Sequence, residues 1–327
     1  MTDETLAAAS DIGVWATIAV LAVAMVAFAL HLAVNASRSG ASTHRADREG
    51  TTVGAQAEGG GAAVATVSPP DTGGAPSSRR WGVTGLQLTL LAAFLVSVAA
   101  VLRGVSVNRA PLGNMYEFAV VTCAFVLVIY GVWALRRDLL WLGLFVVTPV
   151  LLTLGVAMVA WYTEASQLLP ALNSIWLVIH VTVATATVGL FIIGFATAVL
   201  YLLRDRAEER AADGAVTGWL AALPRAAVLE RLTYGLHIVA FPLWTFTLVA
   251  GAIWAEQAWG RYWGWDPKEV WTFVIWAVYA AYLHARATTG WTTRRSTWLA
   301  IAGFACVVIN YTVVNLFFVG FHSYSGV

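Results

Sequence analysis

Eight stretches of this chain stay apolar for about 20 residues at a time, the length a helix needs to cross the hydrocarbon core of a bilayer. They lie near 12–35, 82–102, 115–135, 139–162, 174–203, 232–255, 269–287 and 297–319. Lipid offers no hydrogen bonds, so spans of this length must satisfy their backbone internally as helices. The expected fold is therefore all-α: a polytopic membrane helix bundle of about eight transmembrane helices. The fifth run is long enough to tilt or to extend past the membrane. Charged residues make up only 11% of the chain, against about 25% in a soluble domain. The net charge of +1 gives no footing for nucleic acid. The two cysteines, Cys123 and Cys306, lie in separate apolar runs without a C-x-x-C pair and read as small core residues.

Asp3, Glu4 and Asp11 stand where a signal peptide would be basic, and the following run exceeds an ordinary signal core, so residues 1–36 read as a retained first helix. The segment 37–80, with GAQAEGGGAA and SPPDTGGAPSS, has the composition of a flexible cytoplasmic linker. Residues 81–327 form the main membrane domain. Of the 19 Lys and Arg residues, fifteen fall in one set of alternate loops, among them Arg79, Arg136, Arg204 and Arg295. The other set carries Arg103, Arg109, Arg261 and Lys268. The positive-inside rule then places both termini and the loops 103–114, 163–173 and 256–268 on the outer face.

The external loop 256–268 and the helix after it are dense in indole. Six of the 16 tryptophans lie between Trp254 and Trp276, in WAEQAWGRYWGWDPKEVW and the residues that follow. An interfacial aromatic belt accounts for one or two tryptophans at a helix end. A cluster around Gly260, Gly264 and a charged centre points instead to a flat aromatic surface for a ligand. Asp266, Pro267 and Glu269 also match an N-cap, N1 and N3 set opening the seventh helix. Asp266 is thus both a cap and a candidate ligand contact. Arg261 and Lys268, with Arg103 and Arg109 on the same side, suit a ligand's carboxylates, and equally suit ordinary juxtamembrane charge.

Six histidines are present, and an ionisable residue within a span is by default a functional candidate. His44 falls in the linker. His180, two turns into the fifth helix, and His322, past the end of the eighth, approach the face that carries the tryptophan loop. Two neutral imidazoles on opposite sides of a haem iron make a six-coordinate site, although two histidines on one face need not meet. His284 lies 18 residues after Asp266, about 27 Å deeper. It can serve a second haem position or snorkel beside Arg286. His31 and His237 read as packed histidines.

At this point the residues resemble a known family. WGRYWGWDPKEVW, followed by LHAR, is similar to the WWD signature of haem-handling cytochrome c assembly proteins. Within them it most resembles the CcsA/ResC-type subunit of the system II cytochrome c synthase. APLGNMYEF (110–118), LNSIWLVIHV (172–181), GAIWAEQAWG (251–260) and GFHSYS (320–325) support the likeness, which covers about 82–327. The resemblance implies cytochrome c biogenesis at the plasma membrane, with haem b as the transported substrate and the WWD loop on the extracytoplasmic side. Haem is taken from the cytoplasmic side and held at the outer face, where its vinyl groups meet the thiols of an apocytochrome c C-x-x-C-H motif. A ResB-type membrane subunit is the implied partner. By matching position, His180 and His322 are the implied axial ligands and His284 the intramembrane histidine. Trp259, Trp263, Trp265 and Asp266 belong to the WWD loop, and Trp271, Arg261 and Lys268 join them as haem-binding candidates. The family's second intramembrane histidine belongs to the partner, so His31 is not assigned, and His237 matches no ligand position.

No residue reads as a catalytic nucleophile. Catalysis, as a subunit of a haem lyase complex, would come from holding vinyl and thiol together. Acid should release the haem, because the imidazoles must be neutral to bind. Three other readings stand beside this one. The haem-delivery protein of the other bacterial assembly pathway shares a WWD loop but typically differs in its DPKE portion. A haem-b or quinone electron-transfer subunit would need ligand pairs at two depths. A solute transporter would leave the tryptophan loop without a task.

Overall fold

The computed structural model describes residues 3–53, 76–168, 174–211 and 216–322. Residues 54–75 of the expected linker, and 172–173 and 323–325 of the motif strings, lie outside the described residues. Among the described residues the regular structure is helical: α1 Glu4–Val53, α2 Pro76–Ser106, α3 Met115–Arg136, α4 Gly143–Ala160 and α5 Ile175–Ala211, then α6 Ala226–Trp259, α7 Pro267–Ala287, α8 Thr293–Tyr311 and the short α9 Val313–Phe317. Short 3-10 turns occur at Leu140–Leu142 and Gly218–Ala222. The apolar part of α1 closes at Ser37, and the helical backbone continues to Val53.

Seven helices have the length and mean hydropathy of a membrane span, α8 and α9 together counting as one. α7 is not among them. Its 21 residues reach about 31 Å, but Lys268, Glu269, His284 and Arg286 share it with Trp271, Trp276, Tyr279 and Tyr282, all of which lower its mean hydropathy. Its pairing with α8 nevertheless carries it along the full bundle. Lys268 Nζ donates to the Asn310 carbonyl at 2.7 Å, and a Cβ on Gly303 would meet the Tyr279 ring at 2.9 Å. These contacts give an antiparallel register. α5, at 37 residues, extends about 55 Å, and its last two turns run on among ion pairs: Arg204–Glu208 and Arg294 with Asp205 and Glu209. The long fifth run thus continues as helix beyond its apolar part.

Helices that share a lipid solvent gain nothing from leaving water, so close packing and polar links between them carry the association. α1 and α2 touch through Gly13 and Ala99, where an added Cβ would stand 3.0 Å away, and Ser10 donates to the Ala99 carbonyl at 2.7 Å. Thr233 of α6 donates to Thr197 of α5 at 2.9 Å. One core runs through α1–α4 and the neighbouring parts of α5 and α6, including Leu21, Phe28, Val96, Leu127 and Leu154. A second core joins α5–α8 around Phe191, Trp244, Ile275 and Tyr279.

The loops sort into two ends. Tyr162 bonds Asp11 at 2.5 Å, Arg109 reaches the Ser166 carbonyl, Ser174 bonds Gln257, and His322 bonds Asp266. All of these residues belong to the N-terminus and the segments expected to share a face with the tryptophan loop. The arginine-rich loops gather at the other end, where Arg294 meets Asp205 and Arg286 meets Glu230 at 2.6 Å.

Candidate functional site

α6 ends at Gly260, whose φ of 71° is left-handed and costs a glycine little; its N–H bonds the Glu256 carbonyl at 2.8 Å. The chain then turns through Trp263 and Trp265 to Asp266, which opens α7. The Asp266 side chain accepts from the Lys268 N–H at 3.0 Å, and Glu269 accepts from the Asp266 N–H at 3.1 Å and the Gly264 N–H at 2.8 Å. The capping box expected from WDPKE is formed.

Asp266 does more than cap. It accepts from the Phe321 N–H at 2.5 Å and from His322 Nδ1 at 2.8 Å, and so ties the segment after α9 to the loop. A Cβ on Gly320 would stand 2.3 Å from Asp266 Oδ2, so only glycine admits the carboxylate this close. Burial pushes the Asp266 carboxyl up, but His322 and the Phe321 and Lys268 N–H groups outweigh it and leave the carboxyl below its usual range.

Beneath the loop lies a partly open cavity of about 200 Å³. His180, His322, Trp254, Trp259 and Trp263 line it together with Lys268, Thr272, Asn310 and the N-terminus of α3. His180 Nδ1 donates to the Thr247 carbonyl of α6 at 2.9 Å. Gly251, one turn on, lets the ring in: a Cβ there would stand 2.7 Å from His180 Cε1. Trp254 is 1% exposed and neighbours both imidazoles, stacked on His180 at 6.1 Å and edge-on to His322 at 5.8 Å. Trp259 meets His322 at 5.0 Å. The two histidines expected on one face therefore line one cavity.

Both rings commit Nδ1–H to an acceptor, which fixes Nε2 as the nitrogen with a lone pair. Metal-binding histidines are oriented in this way. Among the described residues no group of three or more His, Cys, Asp or Glu converges. Two imidazoles suit an iron whose other positions are filled by a macrocycle. Of the residues that line the cavity, Asn310 is 8% exposed and its Oδ1 has no hydrogen-bond partner; Glu269 Oε1 also has none.

The other sequence candidates divide. Lys268 lines the cavity. Trp265, with φ of 58°, is 78% exposed and meets Trp263 edge-on outside the cavity lining. Arg261 lies over the Phe321 ring at 4.2 Å, with Nε and Nη2 unbonded. Trp271 is half-buried on α7 away from the cavity, and His284 is exposed near the arginine-rich end. His31 is buried and bonded at both ring nitrogens, to the Ser78 carbonyl at 2.7 Å and to Asn35 at 3.3 Å. His237 is packed against Phe191, Tyr279 and Tyr282.

Arg103 and Arg109, expected to suit a ligand's carboxylates, are already paired with Glu117 of α3, at 3.2 and 2.7 Å. Glu117 also accepts from the Gly113 N–H at 2.7 Å, fixing the loop that forms one cavity wall. Their charge is spent inside the protein. Trp254, Gly251, Thr247 and Asn310 were not singled out from the sequence. Gly251 and Trp254 stand in GAIWAEQAWG, and Asn310 was visible as a polar residue inside an apolar run. The Thr247 carbonyl, a backbone group, left no trace in the sequence.

The family model described as cytochrome C assembly protein matches residues 87–322, which include every element of this site. The chain belongs to the cytochrome c assembly protein family. It is 34% identical to a protein of Guillardia theta called cytochrome c biogenesis protein CcsA, over 73% of this chain and 85% of that one. A Prochlorococcus marinus protein of the same title is 39% identical over 49% of this chain and 58% of its own length. Among solved structures, a cytochrome c haem lyase, CcmF, superposes with a TM-score of 0.57 at 16% identity, over 95% of this chain. The chain spans about half of that protein (47%), and the likeness is one of fold.

Proposed function

We propose that this protein works in cytochrome c biogenesis, holding haem b at the tryptophan-loop end and presenting it for thioether attachment to apocytochrome c. The observation that carries the reading is the pair of imidazoles, each with Nδ1 held by an acceptor and Nε2 carrying the lone pair, in the lining of one aromatic cavity. A porphyrin is flat and apolar with two carboxylates. Trp254, Trp259 and Trp263 offer it indole surface, and Lys268, which also lines the cavity, offers a donor to a carboxylate.

His180 and His322 serve as axial ligands in this reading. The chain's contribution to the chemistry is to hold the ring in one plane and exclude water, so that each substrate thiol meets a vinyl at close range. The thiol adds across the vinyl: sulfur bonds one carbon, hydrogen the other, and no oxidant is consumed. His284, exposed near the arginine-rich end, belongs to an earlier haem position shared with a ResB-type subunit. The tryptophan-loop end faces the extracytoplasmic side of the plasma membrane, as the positive-inside rule requires.

The test is the visible spectrum of the purified protein beside His180→Ala and His322→Ala. A Soret band with sharp α and β bands on reduction, altered in both variants, is expected. A colourless protein that also takes up no added haem would sink the reading.

A further inference from the structure

A second cavity, of about 10 Å³, lies where α1, α2 and α3 meet, lined by Ser10, Arg103, Tyr116 and Glu117 among others. Three buried polar atoms gather there without a hydrogen-bond partner: Asp11 Oδ1, Arg103 Nη1 and the Tyr116 hydroxyl. Arg103 and Tyr116 line the cavity, and Asp11 follows Ser10, which also does. Arg103 Nη1 stops 3.7 Å from Asp11 Oδ1, too far for a direct hydrogen bond. The same guanidinium stands 4.9 Å from the centre of the Tyr116 ring. Other atoms of these groups are bonded. Arg103 Nε donates to Glu117 at 3.2 Å and Nη2 to the Thr163 carbonyl, and the Tyr162 hydroxyl donates to Asp11 Oδ2 at 2.5 Å.

We propose that this cavity is a binding site for one water molecule, held by Asp11, Arg103 and Tyr116. The space fits: a single water needs about 10–15 Å³ and makes about three hydrogen bonds when buried. Charge balance sets the class of ligand. Arg103 and Arg109 are matched by Asp11 and Glu117, so the cluster calls for neither an anion nor a cation. The open atoms require a molecule that accepts from a guanidinium and donates to a carboxylate at once, and a water does both. The Tyr116 hydroxyl supplies the third bond.

The site ties α1 into a network that ends at the larger cavity. Asp11 lies outside residues 87–322, which the family model matches. Through the water it reaches Tyr116, and through Arg103 it reaches Glu117, which accepts from the Gly113 N–H. Gly113 lines the larger cavity. The first helix is thus part of the support of that cavity's lining, whatever the cavity binds.

Tyr116→Phe, which removes only the hydroxyl, tests the site by the sign of its effect on thermal unfolding in detergent. With the water in place the variant takes away one of its bonds, and the melting temperature should fall by a few degrees. With no water, Tyr116 carries a buried hydroxyl that bonds nothing, and its removal should leave the melting temperature unchanged or raise it; either result overturns the proposal. A direct bond from the hydroxyl to Asp11 would also give a fall. A density map of the wild-type protein, at a resolution that shows ordered waters, separates the two. A peak within hydrogen-bond distance of all three atoms is expected. A fall without that peak overturns the proposal, and the wild-type map decides alone if the variant does not fold.

Discussion

At the tryptophan-loop end of the bundle, two polar clusters sit in similar surroundings and end up in opposite conditions. On the α1–α4 side, Glu117 is 1% exposed and both its oxygens are taken by Arg103, Arg109 and the Gly113 N–H. On the α5–α8 side, Asn310 and Glu269 each keep a buried oxygen without a partner beside Lys268, along a cavity wall. An unsatisfied buried polar atom costs free energy. Arg103 Nη1 also lacks a hydrogen-bond partner, so the contrast lies in the carboxylates: both Glu117 oxygens are taken inside the protein, and one Glu269 oxygen is left open beside the cavity. The same contrast separates the arginines: Arg103 and Arg109 fasten loops, while Lys268 faces the cavity.

The sharpest way to break this contrast is to remove the glue. Glu117→Ala strands two guanidiniums in the interior, and the expected loss is about 3–5 kcal/mol of stability, the usual result of breaking a buried ion pair from one side. Thermal unfolding in detergent measures it, and a loss under about 1 kcal/mol would mean that the cluster is not glue. Next in size is Gly251→Leu, whose side chain must displace His180. Overpacking costs about 1–3 kcal/mol, and haem retention on gel filtration should fall with it. Retention at the wild-type level would remove His180 from the site.

Lys268→Met tests the open cluster. It should weaken haem binding about tenfold, the worth of one charge-assisted hydrogen bond, while the melting temperature moves little; a haem titration decides. Asn310→Ala removes an oxygen that has no partner, so stability should change by less than about 1 kcal/mol, and haem affinity should stay at the wild-type level because that oxygen accepts and does not donate. A large loss of stability with unchanged affinity would reverse the roles of the two clusters. The smallest effect belongs to Trp265→Ala. Its indole is 78% exposed, so both stability and haem retention should shift by less than the change from Trp263→Ala, whose indole lines the cavity.

Much of this architecture is written in local chemistry. Runs of about 20 apolar residues form spanning helices wherever they occur, because lipid leaves the backbone no other partner. α7 was legible by its length and its Asp266–Glu269 cap although its mean hydropathy is low, since capping depends on neighbours in the chain. The gathering of the tryptophan-loop segments at one end followed from charge alone. The tryptophan cluster marked the right end, but not which indoles face inward. Trp254 neighbours both imidazoles and Trp265 is exposed outside the cavity lining, and that choice depends on how α6 and α7 are rotated against α5 and α8.

By itself, then, the sequence determined the spans, the two ends and the face on which His180 and His322 stand, because each depends on residues close together in the chain. Only the tertiary structure decided that Glu117 consumes Arg103 and Arg109, that Thr247 and Asp266 set the two imidazoles, and that Asn310 is left open. Those partners lie as far as 67 residues apart in the chain, as His180 and Thr247 do. Which buried group finds a partner is settled by helix rotation and packing, which no local pattern records.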